Sequence, residues 1–119
     1  MDHHDEEFLR TAAEAKARVP QVEPSQIDQR IATGTVVIDV REAEEHAKSG
    51  VPGAVNVSIG TLAEKVASVV PNKDAPVICY CNGGNRGSLA AAQLQELGYT
   101  NVSSIAGGLN AYVSIKSEK

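Results

Sequence analysis

A thiol, two glycines and a guanidinium fall within one short segment, Cys81-Asn82-Gly83-Gly84-Asn85-Arg86. The apolar run Pro76-Val77-Ile78-Cys79-Tyr80 leads into it, and Gly87-Ser88-Leu89-Ala90-Ala91-Ala92-Gln93-Leu94, a helical pattern, follows. The segment therefore places a cysteine where a buried strand ends, a glycine-rich loop around it, and a helix starting at a cation. Such a backbone aims N–H groups at one point, and the helix dipole adds positive potential there. Both effects favour a thiolate over a thiol, so Cys81 reads as a nucleophile. Gly83 and Gly84 open backbone angles closed to other residues. Asn82 and Asn85 tolerate the left-handed conformation and help hold the loop. Arg86 is the only fixed cation in the loop. It either supports the sulfur electrostatically or pairs with a neighbouring helix.

Elements that position this loop can be read along the chain. Residues 6 to 18 carry a helical mixture of alanines and charges, ended by Pro20. Its apolar side is alanine-rich, which predicts a loosely docked arm. Val22 fits a short edge strand. Pro24 fits the first turn of a helix whose Ile27 and Ile31 face the core, stopped by Gly34. The β-branched run Thr35-Val36-Val37-Ile38-Asp39-Val40 predicts a strand buried on both faces. A short helix over 42–48, a strand over 54–57 and a helix begun by a Thr61/Glu64 capping box follow. Then come the strand to Tyr80, the helix from Arg86 to Leu97 capped by Gly98, a strand over 101–105, and a last helix burying Leu109, Tyr112 and Ile115. This alternation predicts an α/β domain with a central, mainly parallel five-stranded sheet flanked by helices on both faces. Ligands bind such sheets outside the carboxyl ends of the strands, where Asp39 and Cys81 both lie.

Composition narrows the function classes. The chain has 119 residues, 42% apolar and 22% charged, with a net charge of -4 and no basic block. Nucleic-acid binding thus has no electrostatic footprint. The acidic start Met1-Asp2-His3-His4-Asp5-Glu6-Glu7 lacks the pattern of a signal peptide, and no apolar run reaches membrane-spanning length. A cytoplasmic location without a membrane partner is expected. Cys79 and Cys81 share a strand face, where bridging them would be strained. His3, His4 and His46 lack metal-ligand spacing, so no metal is expected.

From Val36 to Tyr112 the chain resembles the rhodanese family of sulfurtransferases. The resemblance is carried by Val37-Ile38-Asp39-Val40-Arg41-Glu42, Val51-Pro52-Gly53-Ala54-Val55-Asn56, the Cys81 loop, Leu97-Gly98-Tyr99 with Asn101-Val102, and Gly107-Gly108. It implies a three-layer rhodanese-like domain over 21–119, preceded by a helical extension over 1–20. It also implies that Cys81 takes a sulfane sulfur from a donor such as thiosulfate as a persulfide. The sulfur then passes to a thiophilic acceptor, cyanide or a thiol, or to a sulfur-relay protein, and no cofactor is required. Asn82, Gly83, Gly84, Asn85, Arg86 and Gly87 would form the substrate cradle, with Arg86 anchoring an anionic donor. Asp39 and Arg41 resemble a supporting pair that pins loops by hydrogen bonds and a salt bridge. Three positions depart from the usual pattern: Gly50 in place of His, Gly87 in place of Ser after the loop arginine, and Leu109 in place of an aromatic.

Two other functions compete. Cysteine phosphatases and arsenate reductases also join Cys, a loop of amides and Arg at a helix start. They place one more residue between Cys and Arg than this chain does, and no Asp is evident here as a general acid. A slow or non-catalytic sulfur-carrier module that docks on a partner is the second, with residues 1 to 20 as its docking element.

Overall fold

The computed structural model describes residues 6–117, so His3 and His4 lie outside the described residues. In chain order the elements are α1 (Glu6–Arg18), β1 (Gln21–Val22), a 3-10 turn (Pro24–Gln26) leading into α2 (Ile27–Ala32), β2 (Val36–Asp39), α3 (Ala43–Lys48) and β3 (Val55–Asn56). A second 3-10 turn (Ile59–Thr61) leads into α4 (Leu62–Val69), followed by β4 (Val77–Tyr80), α5 (Asn85–Glu96), β5 (Val102–Ile105) and α6 (Gly108–Ser117).

The five strands form one sheet in the order β1-β5-β4-β2-β3. Every pairing is parallel. The sheet is thus wholly parallel, in keeping with its continuous β-branched runs. Successive side chains on a strand point to opposite faces, and this alternation divides the core. Ile38, Val40, Cys79 and Cys81 pack with Ala15 of α1, Leu62 and Val66 of α4, and Ala90, Ala91 and Leu94 of α5. Val37, Ile78, Tyr80 and Ile105 pack with Ile27 of α2 and with Leu109 and Tyr112 of α6. Helices therefore cover both faces. Full burial of a side chain such as Leu62 or Ile27 is worth ~1.5–3 kcal/mol.

Chain order fixes where a ligand can sit. From β2 the chain steps outward to β3, and from β4 it steps the other way to β5. The order reverses between β2 and β4, whose last residues Asp39 and Tyr80 are register partners. This is the topological switch point, where a crevice opens at the carboxyl ends of the strands. Asp39 and Cys81 stand on its two sides.

Three local expectations change. Helix α1 is not loosely docked. It packs along α5, with Ala12 and Ala15 fully buried. Small side chains on both helices bring the two backbones close. The Thr61/Glu64 capping box does not form, because the Thr61 hydroxyl donates to the Ser58 carbonyl in the 3-10 turn. Ile31 and Ile115 are half-buried, at the edges of the faces they were expected to fill.

Candidate active site

Cys81 is the first residue beyond β4, and its side chain turns into the core face shared with α5. It is 2% exposed. The amide of Gly84 donates to Cys81 Sγ at 3.1 Å. Gly84 makes this possible with φ +112, a left-handed angle that glycine adopts without cost. Among the described residues no non-glycine residue has a positive φ. Asn82 thus holds the loop through its side-chain bonds instead, and Gly84 alone makes the loop's left-handed turn. Gly83 has neither a positive φ nor any atom within 4 Å of where a Cβ would stand. Helix α5 starts at Asn85, so its positive end lies at the cysteine loop.

Two close approaches fix the loop. A Cβ on Gly108 would stand 2.5 Å from the Asn82 carbonyl oxygen and 2.6 Å from that of Cys81. With no Cβ there, the start of α6 reaches the loop. Leu109 N–H donates to the Cys81 carbonyl at 2.8 Å and Asn110 N–H to the Asn82 carbonyl at 3.0 Å. On the other side, a Cβ on Gly87 would lie 2.9 Å from Tyr80 Cα. Gly87 lets the first turn of α5 settle onto the end of β4. Ser88 does not replace the hydroxyl absent at Gly87. It is buried beside Ser104 Oγ at 3.3 Å and Gln21 Nε2 at 3.5 Å, on the β5 and β1 side.

Beneath the loop lies a buried polar hub. Asp39 is fully buried and accepts from the Arg41 amide (3.0 Å), Arg41 Nε (2.9 Å), Arg41 Nη2 (2.6 Å) and the Tyr80 hydroxyl (3.1 Å). His46 Nδ1 stands 2.9 Å from its second oxygen. Burial works against the Asp39 charge, but the bonds from Arg41 and His46 outweigh it and hold the carboxyl below its ordinary range. Burial also pushes the Tyr80 hydroxyl up to about 12, which keeps it a neutral donor. Arg41 extends the hub to the loop, because its Nη1 donates to Asn82 Oδ1 at 3.0 Å. The Asp39–Arg41 pair thus reaches the residue after the cysteine. At Gly50 a Cβ would lie 3.1 Å from the Tyr80 hydroxyl and 3.4 Å from His46 Nδ1, so those groups occupy the space.

Arg86 makes the ion pair anticipated for it with a neighbouring helix. Its Nη1 and Nη2 donate to the two oxygens of Glu45 on α3, at 3.2 and 3.4 Å. Asn82 Nδ2 donates to the same carboxylate at 3.1 Å, and a Glu45 oxygen accepts from the Glu42 amide at 3.0 Å. The bond to Arg86 is the main reason the Glu45 carboxyl sits below its ordinary range. Burial disfavours the Arg86 charge, but the bond to Glu45 outweighs it and holds the guanidinium firmly protonated.

The structure thus gathers Asp39, Arg41, Asn82, Gly84 and Arg86 around Cys81, and Gly87 seals the helix against it. Sequence reasoning did not place Glu45, His46 or Gly108 at the site. A glutamate on a short charged helix reads as a solvated face. Only its placement after the Asp39–Arg41 pair signalled otherwise. Cys79 points into the same core face, fully buried, and burial pushes its thiol up to about 12. Among the described residues, no three His, Cys, Asp or Glu side chains cluster as metal ligands. No described helix is long and apolar enough to cross a membrane.

A parallel sheet with a cysteine loop at its switch point, held by a buried Asp–Arg pair, defines a rhodanese-like domain. Residues 23–115 match the rhodanese-like domain family, and the chain belongs to it. Over 72 residues it is 42% identical to the thiosulfate sulfurtransferase PspE of Escherichia coli, covering 60% of this chain and 68% of that one. It is 32% identical over 94 residues to the thiosulfate sulfurtransferase GlpE of Pseudomonas entomophila, covering 79% and 84%. Its fold superposes on the human single-domain sulfurtransferase TSTD1 with a TM-score of 0.70 at 26% identity, covering 81% and 96%.

Proposed function

We propose that this protein is a sulfurtransferase that carries sulfane sulfur on Cys81. The Gly84 amide at 3.1 Å from Cys81 Sγ carries the reading. It places a hydrogen-bond donor on the sulfur at the positive end of α5, which suits a thiolate and the persulfide anion that replaces it. In the first step the Cys81 thiolate attacks the outer sulfur of thiosulfate. The sulfur–sulfur bond breaks and sulfite leaves with its electron pair. In the second step an acceptor such as cyanide attacks the outer sulfur of the Cys81 persulfide, and the thiolate is regenerated as leaving group. Neither step calls for a cofactor. The relatives named thiosulfate sulfurtransferase support this donor class.

The test is intact mass after incubation with thiosulfate, beside a Cys81→Ser control. A gain of one sulfur atom, absent from the control and removed by cyanide, is expected. No gain with thiosulfate but a gain from a cysteine persulfide would favour a sulfur-relay role, as the name of a sulfur carrier relative from Bacillus subtilis suggests. No gain with any donor would overturn the reading.

A further inference from the structure

The fixed charges of the site cancel in pairs, with the His46 imidazole also against Asp39. Asp39 is bonded to Arg41, and Glu45 holds both ends of the Arg86 guanidinium. Arg41 is buried and also bonded to Asn82 and to the Ser49 carbonyl, so it is not available to a ligand. A Cys81 thiolate, met by an amide and a helix end, therefore adds a negative charge with no ionic partner where a thiosulfate dianion must approach. The loop itself does not supply the missing cation.

Helix α1 does. Its buried Ala12 and Ala15 seat it on α5, and the next residue, Lys16, is exposed. The Lys16 side chain runs to the loop. Its Cε, one bond from the ammonium, lies 3.8 Å from where a Cβ on Gly84 would stand. Gly84 is the residue whose amide holds Cys81 Sγ. Lys16 forms no ion pair among the described residues, in contrast to both arginines of the site. It also lies outside residues 23–115, the part matched to the family. We infer that Lys16 is a specificity-determining residue for this reaction, a cation lent by the N-terminal helix to draw an anionic sulfur donor to Cys81 and to steady the departing sulfite. The inference rests on the sulfurtransferase reading above.

Coulomb energy scales with ligand charge. Loss of one cation should thus cost a dianion the square of the factor it costs a monoanion. Thiosulfate and methanethiosulfonate differ in this way. Each yields the Cys81 persulfide, one releasing sulfite and the other methanesulfinate. In full-length Lys16→Gln, KM for thiosulfate should rise about tenfold and that for methanethiosulfonate about threefold, at low salt. Lys16→Arg should restore both. Lys73→Gln makes the same charge change at the far end of α5, beside the Leu97 carbonyl, and should leave both unchanged. Equal changes for the two donors, or no change, would overturn the inference.

A second readout does not depend on sulfur transfer. The ratio of Cys81 alkylation rates by iodoacetate and iodoacetamide reports the potential at the sulfur. It should fall about threefold in Lys16→Gln. An unchanged ratio overturns the role of Lys16 even if transfer is normal. A falling ratio in a protein that forms no persulfide would overturn the sulfurtransferase reading and keep Lys16 as the cation of an anion site.

Discussion

Gly87 and Tyr80 touch backbone to backbone: a Cβ on Gly87 would lie 2.9 Å from Tyr80 Cα and 3.1 Å from the Cys81 amide nitrogen. Both neighbours are main-chain atoms at the buried end of β4, so neither can rotate away. Restoring the serine usual in the family should therefore harm this chain. Gly87→Ser is expected to lift the first turn of α5, cost about 1–3 kcal/mol, and lengthen the Gly84–Cys81 contact. Chemical denaturation with persulfide loading checks this. A Gly87→Ser protein as stable as wild type and faster in transfer would show that the missing hydroxyl matters more than the close fit.

The same reasoning separates two glycines that look alike in sequence. Gly108 has φ +64 and would drive a Cβ into the carbonyls of Cys81 and Asn82. Gly108→Ala should lose the α6 clamp, with a stability loss of about 2 kcal/mol or more and little persulfide formation. Gly83 meets nothing, so Gly83→Ala should stay within about 0.5 kcal/mol of wild type and load sulfur normally. Paired melting curves and intact masses decide it. Equal damage at both positions would contradict the geometry.

Much of this architecture was legible because the signals are strong. The run over 35–40 and the run ending at Tyr80 are too apolar for a half-exposed strand, and their spacing by helices fits only a parallel sheet. Cys81 stood out because a thiol, a glycine pair and a cation rarely coincide at a strand-to-helix turn. Other features were not legible, each for a physical reason. Alanine carries little burial energy, so Ala12 and Ala15 gave α1 a weak signal although the helix is firmly packed. Thr61 and Glu64 have capping-box spacing, but the 3-10 turn claimed the hydroxyl first. The pairing of Arg86 with Glu45 joins residues 41 positions apart, which no local pattern reports.

Cys79 and Cys81 share a core face yet should differ in reactivity. Cys79 is fully buried, and burial pushes its thiol up to about 12. Cys81 has an amide donor and the positive end of a helix. Limited iodoacetamide should add one group, at Cys81, as read by peptide mass. Prior sulfur loading should divert the label to the persulfide. Comparable labelling of Cys79 would mean that this face of the core opens readily.

The Asp39 hub should make the fold acid-sensitive. Its carboxyl is held below the ordinary value, so at low pH the unfolded chain takes up a proton first. The stability from Asp39 is thus fully present above about pH 4 and lost as pH falls toward its folded value. Asp39→Asn strands the Arg41 charge and should cost about 3–5 kcal/mol near neutral pH. It should also remove part of the acid dependence. Urea midpoints from about pH 3 to pH 7 measure both. Parallel curves for the two proteins would assign the acid sensitivity to other groups.

Glu45 offers the last test, because it sets how much charge Arg86 presents. The pair is about a third exposed on each side, at 33% and 34%. Solvent therefore screens it, and the pair itself is worth only about 0–1 kcal/mol. Glu45→Gln keeps the side-chain length and one of the two acceptor oxygens, enough for either the Asn82 amide or the Glu42 amide, but removes the counter-charge. Arg86 should then act on an incoming donor, and KM for thiosulfate should fall by about threefold to tenfold with little change in stability. Arg86→Gln in the same background should cancel the gain, since the effect works through that guanidinium. Single and double variants, assayed at low and high salt, form a complete cycle. Should Glu45→Gln instead raise KM while Asn82 variants do the same, the carboxylate would be serving to hold the loop, and its charge would be incidental.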